Sequence, residues 1–98
     1  MKKLFAVGVL VLLASTLLLA ATQVKVNFVN ATSMTMRFSV DGNPVCAGDV
    51  IPNGFCTEYV NVGTHTFRAV DVRDSRNAVE QEHTIDDTDQ WTFRVEEH

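Results

Sequence analysis

Val24-Lys25-Val26-Asn27-Phe28 and Met34-Thr35-Met36-Arg37-Phe38-Ser39-Val40 are the stretches that decide the fold. In each, apolar side chains fall on every second position with polar ones between them. Successive side chains of a strand point to opposite faces, so each stretch makes one apolar and one wettable face. A helix, with its period near 3.6, would scatter the same residues around its surface.

The pattern continues outward from there. Asp41-Gly42-Asn43-Pro44 is turn chemistry, because Gly supplies positive φ and Pro cannot continue a ladder. A short segment covers residues 45–50, and Pro52-Asn53-Gly54 is a second turn. Residues 55–62 read as a strand that Gly63 ends. Residues 64–72 follow, with His65, Phe67 and Ala69 on one face and Thr66, Arg68 and Val70 on the other. Asp74-Ser75-Arg76-Asn77 reads as a loop. Val79, Gln81, His83 and Ile85 share a face with a polar centre, as at the edge of a sheet. After the acidic turn Asp86-Asp87-Thr88-Asp89, Trp91, Phe93 and Val95 alternate with Thr92, Arg94 and Glu96. About seven short strands with turn signals every 8–12 residues predict an all-β domain, a small antiparallel β-sandwich or barrel. No helical period, repeat or low-complexity segment competes with it in this part of the chain.

Ahead of the strands, Lys2 and Lys3 precede an apolar run interrupted at Ser15-Thr16 and closed by Leu17-Leu18-Leu19-Ala20-Ala21. A positive start, an apolar middle and a small-residue exit predict a signal peptide over residues 1–21, cleaved after Ala20 or Ala21. The domain over residues 22–98 would then work in the periplasm or outside the cell. The alternative is a retained anchor. The apolar run is at the short end for a membrane span and no basic stop-transfer cluster follows it. No cysteine near the exit offers a thiol for a lipid.

Removing Lys2 and Lys3 with the leader leaves 6 basic against 12 acidic residues, a net charge of −6. Nucleic-acid binding needs a basic face to neutralise phosphates, and this balance excludes it. An anionic membrane surface is disfavoured for the same reason. A basic partner is favoured. A domain this short has a marginal core, and a covalent staple is common in its class. Cys46 and Cys56, ten positions apart, both lie in the exported part. An oxidising compartment predicts that they pair, across a hairpin formed by the segments flanking residues 51–54. A metal site lacks partners, since there is no CxxC and no nearby histidine.

Residues 24–31, followed by Phe38-Ser39-Val40-Asp41-Gly42, resemble the opening of a class of exported bacterial β-sandwich domains. Val60-Asn61-Val62-Gly63-Thr64-His65-Thr66-Phe67 is similar to the strand-Gly-x-His/Tyr-x-Val/Phe signature of PEGA-type and related immunoglobulin-like surface domains. The resemblance implies a fold and an exported setting, and it transfers no catalytic residue. The chain departs from that class at Cys46 and Cys56.

Candidate chemistry is thin. His65, His83 and His98 sit at no ligand spacing from one another or from a cysteine, and His65 reads as a packed, hydrogen-bonded residue. Met34 and Met36 share a face and are suitable copper ligands, though they equally continue the apolar face through Phe38 and Val40. Asp86, Asp87 and Asp89 offer carboxylates for calcium but lack the central Gly and distal Glu of a calcium loop, which leaves a solvated turn. Thr57 and Ser75 have no nucleophile-elbow context. Asn30-Ala31-Thr32 matches a glycosylation acceptor. Phe55 and Tyr59, with Trp91 nearby, form either an exposed aromatic patch or part of the core. No catalytic, metal or cofactor-binding residue is assigned. The expected function is a non-enzymatic binding or structural module that recognises protein or cell-envelope material. The alternatives are a small acidic inhibitor of a hydrolase and a calcium or copper carrier.

Overall fold

Alternation does produce strands. A computed structural model describes residues 22–87 and 90–97; the leader, Thr88, Asp89 and His98 lie outside the described residues. Seven strands follow in order: β1 (Gln23–Ala31), β2 (Met36–Val40), β3 (Asn43–Pro44), β4 (Phe55–Asn61), β5 (Gly63–Asp71), β6 (Asp74–Ile85) and β7 (Trp91–Glu96). They form two sheets, one of three strands ordered β4-β1-β7 and one of four ordered β3-β2-β5-β6.

Apolar faces of the two sheets meet in one core. Phe28 and Phe93 come from the three-stranded sheet and Phe38 and Phe67 from the four-stranded one, each at most 1% exposed. Phe28 lies 5.6 Å from Phe38, and Phe93 lies 5.8 Å from both Phe38 and Phe67, in tilted or edge-on arrangements. Each such pair adds roughly 0.5–1.5 kcal/mol beyond the area it buries. Val24, Val26, Met36, Ala69 and Val95 fill the space around the rings.

One pairing departs from the expected antiparallel arrangement. β1 pairs β4 antiparallel but β7 parallel, with Val26 opposite Trp91 and Phe28 opposite Phe93. Parallel neighbours cannot be joined by a tight turn. Here they are the first and last strands, with the rest of the domain between them, so no turn constrains their direction.

Two local expectations also give way. Residues 45–50 do not pair with β4 as a hairpin. Cys46 and Ala47 adopt positive φ (71° and 48°) and Gly48 follows at 135°, so the chain curls. Val45 N–H donates to Phe38 O, and Val50 exchanges both backbone hydrogen bonds with Met36. The segment therefore runs beside β2 and then crosses between the sheets to reach β4. Residues 74–77 are strand, not loop. The turn is at Val72-Arg73, where the Asp71 carboxylate accepts Arg73 N–H at 2.9 Å. Asp74 pairs with Asp71 across the turn, residues 75–77 form an irregular step, and the ladder to β5 resumes at Ala78 opposite Val70.

Asn30 continues the inward series of Val24, Val26 and Phe28 and is fully buried. Its Nδ2 donates to Met34 O (2.7 Å), Val50 O (2.9 Å) and Ile51 O (3.2 Å), and its Oδ1 accepts from Thr32 N–H (3.1 Å) and Thr32 Oγ1 (2.6 Å). One side chain thus satisfies the carbonyls of both segments that cross between the sheets after β1 and before β4. Asn30→Ala leaves the buried Thr32 N–H unpaired and removes one of the donors to each of the Met34, Val50 and Ile51 carbonyls. The expected loss is about 3 kcal/mol of unfolding free energy. That corresponds to a melting temperature lower by roughly 10 °C or more, read by circular dichroism.

Candidate functional site

The β3–β4 side of the sandwich gathers most of the unusual features. Phe55, Thr57 and Tyr59 point to the outer face of the three-stranded sheet, opposite Val29, Asn27 and Lys25. Phe55 and Tyr59 are 72% and 63% exposed, and Ile51, in the turn before β4, is 67% exposed. Side chains this large are normally spent on the core of so small a domain. Between the two rings, Thr57 Oγ1 donates to Asn27 Oδ1 at 2.9 Å, which fixes a polar row across the patch.

The inner face of β4 is held by a covalent link. Cys46 and Cys56 form a disulfide with their Cα atoms 5.5 Å apart. Cys46 lies in the crossing segment beside β2, whereas Cys56 lies in β4, so the bond ties the two sheets together and not the two arms of a hairpin. The Glu58 carboxylate accepts Cys46 N–H at 2.9 Å and fastens the positive-φ turn from the same strand. Beside the disulfide is a shallow hollow of about 370 Å³ lined by Asp49, Ile51, Asn53, Phe55 and both half-cystines. A second hollow of about 200 Å³, lined by Val45, Tyr59, Asp41 and His65 among others, adjoins it along β4.

His65 closes the end of this side. Asp41 and Gly42 both have positive φ, as the two-residue β2–β3 hairpin requires. That turn presents the Asp41 carboxylate to β5. Asp41 Oδ1 accepts Thr66 N–H at 2.8 Å. His65 lies 2.6 Å through Nδ1 from Asp41 Oδ2 and 2.7 Å through Nε2 from Asn61 O. Both partners are acceptors, so only the imidazolium satisfies them both. The hydrogen bond to Asp41 raises the His65 pKa above the ordinary imidazole value, and the same bond, helped by Thr66 N–H, lowers that of Asp41. Both ring nitrogens of His65 are thus engaged within the protein, one by Asp41 and one by the Asn61 carbonyl.

Other sequence candidates are dispersed. His83 is the ladder partner of His65, and its ring stacks on Trp91 at 3.9 Å. Trp91 lies on the inner face of its sheet, so it shares no patch with Phe55 and Tyr59. Met36 is core, and Met34 receives a contact from Asn77 Nδ2 on Sδ; no described histidine lines the groove these methionines share. Among the described residues no cluster of three His, Cys, Asp or Glu side chains is placed to hold a metal, and Asp86 and Asp87 are solvent-exposed. Ser75 and Thr57 are exposed strand residues. Asn30 is an interior anchor and not a glycan acceptor, because its amide is buried and fully bonded. Its place in the inward register was the available signal for that role. No family model, curated protein or solved structure matches the chain.

Reduction of the disulfide should lower the unfolding free energy by about 3 kcal/mol while the folded strand spectrum persists, read from urea melts with and without reductant. The His65–Asp41 pair gives a second expectation. A raised histidine pKa contributes stability fully below its unfolded value, and the contribution is lost as pH rises through the folded value. A lowered aspartate pKa contributes above its unfolded value and is lost on acidification. The pair therefore contributes most between about pH 4 and 6.5. Melting temperature should decline above that window, and His65→Gln should flatten the alkaline decline.

Proposed function

We propose that this chain is an exported, non-enzymatic binding module of the immunoglobulin-like or PEGA-type sort, and that it recognises a protein partner through the β3–β4 side. The observation that carries the reading is the exposed row of Ile51, Phe55 and Tyr59 on a rigid, disulfide-tied edge. Aromatic side chains presented on a fixed scaffold are the usual anchors of protein interfaces, with polar groups such as Thr57 and Asn27 between and around them. The hollow beside Phe55 offers room for a partner side chain to seat. A stable cystine supports an oxidising compartment, as does the leader-like composition of residues 1–21. The engagement of both nitrogens of His65 argues against acid–base catalysis by its pair with Asp41.

Affinity capture from the envelope and extracellular fractions of the native host tests the reading. The wild-type protein should retain a defined protein partner. Phe55→Ser combined with Tyr59→Ser should lower retention about tenfold or more, since each removes an interface anchor. Melting temperature should barely change, because both rings are exposed. Equal retention by wild type and variant overturns the proposal, as does a wild type that retains nothing. Stoichiometric, salt-sensitive capture of a hydrolase would identify the module as an inhibitor.

A further inference from the structure

Among the described residues the two sheets end in four edge strands, β4 and β7 of one and β3 and β6 of the other. Three of them carry features that keep natural edges from pairing. β3 is two residues long and ends on Pro44, β6 bears Glu80 and Glu82, and β7 bears Arg94 and Glu96. β4 is guarded in neither way. Its exposed face is Phe55, Thr57, Tyr59 and Asn61, without a charge, and its one acid, Glu58, turns inward onto Cys46 N–H. The backbone of β4 is open as well. Asn30 N–H donates to Gly54 O, and Val62 N–H donates to Thr22 O. These two bonds bracket the β1–β4 ladder and set its alternation. Cys56, Glu58 and Val60 therefore turn their N–H and C=O groups to β1. Phe55, Thr57 and Tyr59 turn theirs to the free edge, where no described strand pairs with them.

We propose that the free edge of β4 pairs with β4 of a second copy of this chain, antiparallel about a twofold axis at Thr57. A second copy as occupant presupposes that the β3–β4 side binds protein, as proposed above. In this register Thr57 lies opposite Thr57, and Phe55 lies opposite Tyr59 of the second copy, twice over by symmetry. Both exposed rings of each copy then meet a ring across the axis, one of the cross-strand pairs that stabilise sheets. The backbone groups that β4 turns outward face one another at the same positions. Charge selects the register. With the axis at Thr57, Glu58 falls opposite Cys56 on the inner face. An axis at residue 58 would set the two Glu58 carboxylates opposite one another. An axis at residue 59 would pair residues 57–61 alone and leave Phe55 uncovered. The two three-stranded sheets become one continuous sheet. Both β4 edges are consumed at the axis, so assembly stops at the dimer.

Sedimentation equilibrium reads the dimer, and amide hydrogen exchange locates it. The amides of Phe55, Thr57 and Tyr59 should exchange more slowly as concentration rises, while those of Cys56 and Glu58 stay as they are. Thr57→Lys and Thr57→Glu should each be monomeric, since each sets like charges opposite one another at the axis. Neither disturbs the core, because Thr57 is exposed. Mixed in equal amounts, the two variants should form a heterodimer with lysine opposite glutamate. Phe55→Ser combined with Tyr59→Ser should weaken the dimer about tenfold or more, as both aromatic pairs are lost. A wild type that stays monomeric up to about 1 mM overturns the second copy as occupant. If affinity capture then still retains another protein through Phe55 and Tyr59, the β3–β4 side keeps its role with a different partner. A dimer indifferent to the charges placed at Thr57 overturns the proposal, as does slowed exchange confined to β6 or β7. Failure of the mixed variants to associate would overturn it equally.

Discussion

A single buried carboxamide holds the two sheets in their relation. Two of the chain's crossings between them, at residues 32–35 after β1 and residues 50–54 before β4, have few ladder bonds of their own, chiefly Val50 with Met36. Asn30 answers both crossings from one position, with its Nδ2 on Met34 O, Val50 O and Ile51 O. Thr32 completes the arrangement by donating to Asn30 Oδ1 and accepting from Met34 N–H. A buried polar network stabilises only when all its members are satisfied. That condition holds here, because no buried side-chain polar atom among the described residues lacks a partner. The phenylalanine core then packs against a frame whose loops are already placed.

The asymmetry of the molecule follows from this frame. The segment anchored by Asn30 at Val50 and Ile51 is the one that carries Cys46 toward β4. It covers the inner face of β4 and closes the β3–β4 side with a disulfide and the Glu58 contact. Among the described residues no comparable segment returns to the other side, where β6 leads into the exposed Asp86 and Asp87. One side is therefore rigid and decorated with exposed rings, and the other is open and flanked by strand edges. Natural edge strands are protected from indiscriminate pairing by charge. Glu80 and Glu82, on the outer face of β6, place charge on that edge strand.

Much of the fold was legible in the alternation of side chains. The inward faces of β1, β2, β5 and β7 are the residues whose period of two is cleanest, and burial there is what makes a period visible. β6 was harder at its start, because Ser75, Arg76 and Asn77 are exposed on both faces and carry no apolar signal. The curl at Cys46 and Ala47 was not legible at all, since neither residue type announces a positive φ. Their conformation is imposed by the disulfide, Glu58 and the ladder to β2. Asn30 was misread for a related reason. A three-residue acceptor pattern describes a surface, whereas its register with Val24, Val26 and Phe28 places it inside. Direction of pairing between the first and last strands leaves no mark in either strand, because it depends on how many times the chain crosses between sheets.

The exposed apolar residues separate into those the fold requires and those it does not. Val26, Phe28, Phe38, Phe67 and Phe93 each lie at or below 1% exposure, and the core they form is complete without Ile51, Phe55, Tyr59 or Val79. Replacing any of those four by a polar residue removes little from the packing. On a surface strand a threonine would satisfy the same backbone at lower risk of aggregation. Their presence is thus unexplained by stability. It is concentrated on the two sides of the sandwich, while the outer face of the four-stranded sheet carries Arg37, Arg68, Glu80 and Glu82 at exposed positions. A distribution in which the apolar surplus lies beside hollows and strand edges, and charge occupies the broad outer face, belongs to a molecule whose sides are its contacts.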